Sequence, residues 1–164
     1  VLNQAYKGLY VYRTDTMEAG RVLEQEVTGY CIDEHTNKLF YFVKEKGLYS
    51  YDINTKEQKL LIEADEKNQM PEISFDGQYI YMDNSAWASI SKRMGKEVEK
   101  QCFVIDTNGN MIQQISGEKT QRIYFGDGNY LFAQTVIQKI SGGNSEYSYI
   151  NKSLPGEWEW KAME

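Results

Sequence analysis

A run of seven residues near the start, Lys7-Gly8-Leu9-Tyr10-Val11-Tyr12-Arg13, returns 39 residues later as Lys46-Gly47-Leu48-Tyr49-Ser50-Tyr51-Asp52. A second element occurs three times, as Asn37-Lys38-Leu39-Phe40-Tyr41-Phe42, Asp76-Gly77-Gln78-Tyr79-Ile80-Tyr81 and Asp127-Gly128-Asn129-Tyr130-Leu131-Phe132. With Phe40, Ile80 and Leu131 aligned, its spacings are 40 and 51 residues. The longer one reflects an insertion, because the link from Asp83 to Gln101 far exceeds its counterpart around Lys44 to Lys46. Repetition near 40 residues constrains the fold strongly: a unit that small cannot bury its own apolar faces and must stack on its neighbours.

Within each unit, apolar and polar residues alternate in short runs separated by Gly, Asn and Asp, the period-2 pattern of strands. Predicted strands are Gly8 to Arg13, Arg21 to Glu26, Gly29 to Ile32, Lys38 to Val43, Gly47 to Ile53, Gln58 to Ile62, Glu72 to Phe75 and Gln78 to Asp83. Others follow at Gln101 to Asp106, Met111 to Ile115, Arg122 to Phe125, Tyr130 to Val136 and Tyr147 to Asn151. Almost nothing reads as helix. Asp76-Gly77, Asn108-Gly109 and Asp127-Gly128 supply residues that tolerate positive φ in tight hairpins, with Asn37-Lys38 and Asn54-Thr55 as weaker versions.

Four antiparallel strands per unit of about 40 residues describe a β-propeller blade. The expected fold is all-β, with about three and a half blades. A half blade spans residues 8–27 and whole blades span 28–62, 71–115 and 121–161, with Gly156 to Lys161 as the outermost strand of the last. Closed propellers have typically four to eight blades. Three readings follow: a fragment of a longer propeller, half blades paired between copies as a homo-oligomer, or strands closed in another way. The text opens at Val1 in mid-pattern, which fits a fragment or processed chain.

Phe75-Asp76-Gly77-Gln78-Tyr79-Ile80-Tyr81, followed by Cys102-Phe103-Val104-Ile105-Asp106 and a hairpin, resembles the blades of TolB-like propellers and of propeller-like domains in bacterial extracytoplasmic lipoproteins. The resemblance covers roughly residues 8 to 151. It implies a propeller and an extracytoplasmic or cell-surface setting. It selects no activity, since propellers host hydrolases, lyases, lectins and docking platforms. Neither the Tyr-Trp-Thr-Asp motif of LDL-receptor propellers nor the Gly-His and Trp-Asp pairs of WD repeats is present.

The 164 residues carry 18 Lys and Arg against 24 Asp and Glu, a net charge of −6, which argues against nucleic acid as a partner. The longest apolar run, Leu39 to Val43, is far too short to span a bilayer. Cys31 and Cys102 are too few for a disulfide framework and too far apart in sequence for a zinc site. They read as small apolar strand residues, with a single disulfide as the alternative.

His35, the one histidine, falls in a turn, and no Gly-x-Ser-x-Gly elbow accompanies it. Asp106-Thr107-Asn108-Gly109-Asn110 begins like a calcium loop, but Met111 stands where such a loop needs glycine and Gly117 where it needs an acid. Asp65-Glu66 and Glu97 to Glu99 read as solvated acidic loops. Ser141 to Ser145 reads as a flexible hairpin rather than a phosphate cradle, and Asn151-Lys152-Ser153 matches the glycosylation triplet. No metal, cofactor or catalytic residue is expected from these patterns.

The insertion of residues 84–100 carries the remaining signal. Long loops are where a repeat scaffold places specificity. Trp87 offers an apolar anchor with Lys92 and Arg93 beside it, and these three are the candidate binding residues. Blade geometry sets the insertion on one face with Glu63 to Met70 and Ser116 to Gln121. Trp158 and Trp160 share one strand face, and the paired tyrosines read as packing between blades. The favoured function is a non-catalytic binding or scaffold module recognising a protein or glycan. The competing one is a glycan hydrolase or lyase with an axial metal, or with carboxylates such as Asp33 or Asp83.

Overall fold

The alternating runs pair into hairpins, each strand antiparallel to the one before it in its sheet. The computed structural model describes residues 8–116, 121–125, 129–139, 142–153 and 158–163. Strands β1 (Leu9–Arg13) and β2 (Glu18–Leu23) form a two-stranded sheet. Strands β3 (Val27–Asp33), β4 (Lys38–Val43), β5 (Gly47–Asp52) and β6 (Gln58–Glu63) form the first four-stranded sheet. The second comprises β7 (Glu72–Phe75), β8 (Tyr79–Asp83), β9 (Gln101–Asp106) and β10 (Met111–Ser116). The third comprises β11 (Gln121–Phe125), β12 (Tyr130–Lys139), β13 (Gly142–Asn151) and β14 (Lys161–Ala162). In each, spatial order follows chain order, so the architecture is three propeller blades preceded by half of one.

Burial explains why these strands stack. In β4, Leu39, Tyr41 and Val43 pack against Leu9 and Leu23 of the two-stranded sheet. Their alternates Phe40 and Phe42 face the other way, joining Leu48 with Ile73, Ile80, Met82, Phe103 and Ile105 of the second blade. The second blade repeats the device: Tyr81, Cys102 and Val104 turn forward to Leu131, Ile150 and Trp158. A strand buried on both faces has apolar residues at successive positions, which is the appearance of Leu39 to Val43.

Three sequence expectations are corrected. Lys38 pairs with Asp52 as Tyr79 pairs with Asp106, so Leu39 rather than Phe40 corresponds to Ile80. A slip of one residue sends a side chain to the opposite face, and Phe40 and Ile80 do face opposite blades. Residues 85–93 are helical, not loop. Gly142 to Ser145 are strand, extending the β12–β13 hairpin beyond the flexible turn expected there. The expected turn at Asp127-Gly128 lies outside the described residues.

The repeated Lys-Gly-Leu-Tyr has a backbone cause. Gly8 and Gly47 have φ of 114° and 133°, and a Cβ on either would collide with a carbonyl oxygen of the paired strand, Leu23 or Ile62. The register shifts just after each, between Leu9 and Tyr10 and between Leu48 and Tyr49. This match identifies β1–β2 as counterparts of β5–β6, the outer pair of a blade.

An aspartate closes several hairpins. Asp33 Oδ1 accepts from the amides of His35 and Thr36, Asp52 Oδ1 from Asn54 and Thr55, and Asp106 Oδ1 from Asn108 and Asn110. The Thr36 hydroxyl chiefly lowers the Asp33 carboxyl below its ordinary range, and the Thr55 amide does so for Asp52. The letters that resembled a calcium loop are such a turn.

Blades two and three are joined by a buried ion pair between Lys152 Nζ and Asp76 Oδ2, with both side chains 3% exposed. Asp76 Oδ2 also accepts from the Tyr81 hydroxyl at 2.6 Å, while its Oδ1 takes the amides of Tyr79 at 2.7 Å and Gln78 at 2.9 Å. Burial pushes this carboxyl up, and Lys152 with the three hydrogen bonds more than reverses that, leaving it below its usual range. Burial first, then the neighbouring carboxylate, raises the Tyr81 hydroxyl.

Candidate functional site

The inserted segment stands at the end of the second blade opposite the Asp76 turn. Helix α1 (Ser85–Arg93) contains no Gly or Pro, carries two alanines, and places Lys92 and Arg93 in its last turn, where cations complement the carbonyl end of the helix dipole. Gly95, with φ of 76°, ends it just beyond the C-cap Met94.

Asn84, wholly buried, fixes the helix start. Its Nδ2 donates to the carbonyls of Lys67 and Glu99, both at 3.0 Å, and its Oδ1 accepts the Gln101 amide at 2.7 Å. One side chain therefore ties α1, the link between blades and the start of β9. A buried amide is stable there because every one of these groups finds a partner.

Trp87 is half-buried and donates its indole N–H to the Glu66 carbonyl at 2.9 Å, so it clamps α1 onto the 63–70 link. Lys92 and Arg93 are exposed. Ile90 and Met94, one helical turn apart, are 37% and 63% exposed. Sequence reading singled out the indole and passed over this pair. Trp87, Ile90 and Met94 stand at i, i+3 and i+7, a helical spacing, but nine residues fall short of the window in which such a signal stands out.

Asp33 and Asp83, the carboxylates of the enzymatic alternative, lie far apart in the fold. Strand β3 runs alongside β7, with Gly29 beside Pro71 and Ile73. Asp33 therefore sits at the turn end of its blade, whereas Asp83 lies at the α1 end of the next. Asp83 Oδ1 accepts the Ser85 amide at 2.6 Å. A cleft of about 560 Å³ opens elsewhere, between β1–β2 and the β5 end, lined among others by Val11, Glu18, Arg21, Tyr51 and Lys56. It holds one carboxylate, not a pair.

Cys31 and Cys102 are free thiols on separate sheets, and burial pushes Cys31 up to about 12. His35 is exposed in its turn. Among the described residues no three His, Cys, Asp or Glu side chains cluster as metal ligands, and no helix is long and apolar enough to cross a membrane.

No protein-family model matches the chain, and no curated protein matches it. Among solved structures it is similar to KlHsv2 with loop 6CD replaced by a Gly-Ser linker, at 8% identity and a TM-score of 0.49, over 84% of this chain and 39% of that one. It is also similar to BamB from Moraxella catarrhalis, at 13% identity and a TM-score of 0.49, over 82% of this chain and 37% of that one. The chain spans less than two fifths of the length of each.

Proposed function

We propose that this chain is a non-catalytic propeller module that docks a protein partner on the outward side of α1. The observation that supports it is the exposed pair Ile90 and Met94 on a helix made rigid by Asn84 and Trp87, with the cations Lys92 and Arg93 alongside. Pre-ordered apolar anchors next to Arg are the usual centre of a protein interface. The partner surface is apolar with acidic residues at its margin. A glycan reading would rest on Trp87 as a stacking platform, which needs an open ring face, and Trp87 is half-buried against the 63–70 link.

A photo-crosslinking residue at position 90, introduced in the cells that make the protein, identifies the partner, and titration with the purified partner measures affinity. Ile90→Glu combined with Met94→Glu is expected to weaken binding at least tenfold. Unchanged affinity would remove α1 from the interface. Binding on a glycan array that Trp87→Ala abolishes would instead support the glycan reading, and release of sugar from a polysaccharide would support the enzymatic one.

The proposed domain plan is one propeller-like unit of half blade 8–27 and blades 28–62, 71–115 and 121–161, completed by strands from a longer propeller. The half blade matches β5–β6 and so wants an inner pair. Among the described residues a second copy offers only its own half blade, β1–β2, because β3–β4, β7–β8 and β11–β12 already serve their own sheets. The extracytoplasmic setting implied by the TolB-like resemblance belongs to the same proposal.

A further inference from the structure

We propose, building on the longer propeller put forward above, that the open edge of β1 and the exposed face of β3 together receive one β-hairpin of that same polypeptide, its second strand antiparallel to β1. The internal repeat identifies the surface. Strand β5, the counterpart of β1, has β4 on its inner edge from Lys38 opposite Asp52 to Val43 opposite Gly47. Among the described residues β1 has only β2 beside it. The bulge after Leu9 does not guard that edge, because β5 carries the same bulge on its outer side and still accepts β4.

The face of β3 makes the same demand independently. Tyr30 and Ile32 lie opposite Tyr41 and Leu39, so they share the face that looks back toward the half blade. Their counterparts in the second blade are Ile73 and Phe75, opposite Met82 and Ile80. Ile73 is 6% exposed, packed with Phe75 against Cys31, Phe40 and Phe42 of the inner pair ahead of it. Tyr30 and Ile32, with no inner pair described ahead of them, are 44% and 45% exposed. The equivalence fixes the chemistry of the occupant. The rings of Phe40 and Phe75 are 5.4 Å apart, so the second strand of the hairpin sets a large apolar side chain over Ile32 and another two residues further along. Arg13 stands where β5 has Asp52, which faces Lys38, so an acidic or neutral residue faces Arg13. The same polypeptide is the source because Lys7 precedes Gly8 as Lys46 precedes Gly47, and Lys46 ends the short link out of β4, its amide donating to the Val43 carbonyl at 3.0 Å.

A photo-crosslinking residue at position 32, introduced in the cells that make the protein, tests the source, with the linked peptides identified by mass spectrometry. Links to an apolar strand of the same polypeptide outside these 164 residues are expected. Links to another protein, to a second copy or to residues 1–7, or no link at all, overturn the proposal. The receiving surface is tested on this chain with residues 1–7 replaced by a second copy of residues 27–46. Amides of Leu9 to Arg13 are expected to exchange at least about tenfold more slowly than in the wild type, and Phe40→Glu with Phe42→Glu in the added copy to abolish that gain. Exchange of β1 that ignores the added pair overturns the proposal as well. Should the extended chain lose its β-sheet circular dichroism, the links from position 32 decide. Position 90 reports on α1 and position 32 on this face, so the two readings fail separately.

Discussion

The Asp76–Lys152 pair shows how much a single contact can weigh in a stacked-sheet fold. Both side chains are almost inaccessible, so removing one partner leaves a charge with nothing to neutralise it. Lys152→Met is expected to cost about 3–5 kcal/mol in urea unfolding. Asp76→Asn combined with Lys152→Met should recover a good part of that, because no buried charge then remains. The pH dependence has a definite sign. Asp76 titrates lower in the folded chain than in the unfolded one, so the unfolded state binds the extra proton first. Its contribution is complete above the ordinary aspartate value near 4 and is lost as pH falls further, which acid titrations of wild type and Asp76→Asn will compare. Little of this was legible beforehand: Asp76 read as a turn residue and Lys152 as the middle of a glycosylation triplet. Residues 76 apart carry no local pattern that announces their meeting. Trp87 stood out in the sequence, but the carbonyl of Glu66 as partner of its indole N–H did not.

At the scale of elements, strands and helix differed in legibility for physical reasons. Strands advertised themselves through alternation and through Asn, Asp and Gly at the turns. Asn37, Gly77 and Gly109 do adopt positive φ, at 54°, 95° and 98°. Met17, Glu45 and Lys56 do so as well, and no propensity marks them. Helix α1 hid because its apolar spacing, Trp87, Ile90 and Met94, spans too few residues to stand out from the strands around it. Asn84→Ala tests what holds it. It removes three hydrogen bonds and leaves two carbonyls and an amide unsatisfied, so a loss of about 2–4 kcal/mol is expected. Exchange of α1 amides should accelerate more than exchange of the β8–β9 ladder. Equal acceleration would mean that Asn84 supports the blade and not the helix.

At the scale of the molecule, the repeat announced stacked blades, but alignment by letters slipped one position and matched Phe40 with Ile80, which faces the other way in its blade. Only register distinguishes the two faces of a strand buried on both. Each whole blade contributes to a seam before it and, where another follows, to one after it, and this coupling is measurable. Phe42→Ala and Ile80→Ala share a seam and should be non-additive by about 0.5–3 kcal/mol. Phe42→Ala and Val104→Ala lie in different seams and should add within about 0.5 kcal/mol. The ion pair across the second seam also has a meaning in time. A ribosome delivers Asp76 well before Lys152, a lag of about 4–15 s at 5–20 residues per second. Until then the nascent second blade holds a carboxylate that it cannot bury, and its forward face stays wet and unsealed. Translation thus sets the order of closure, and arrest of synthesis between the two residues would leave that blade open to chaperones and proteases.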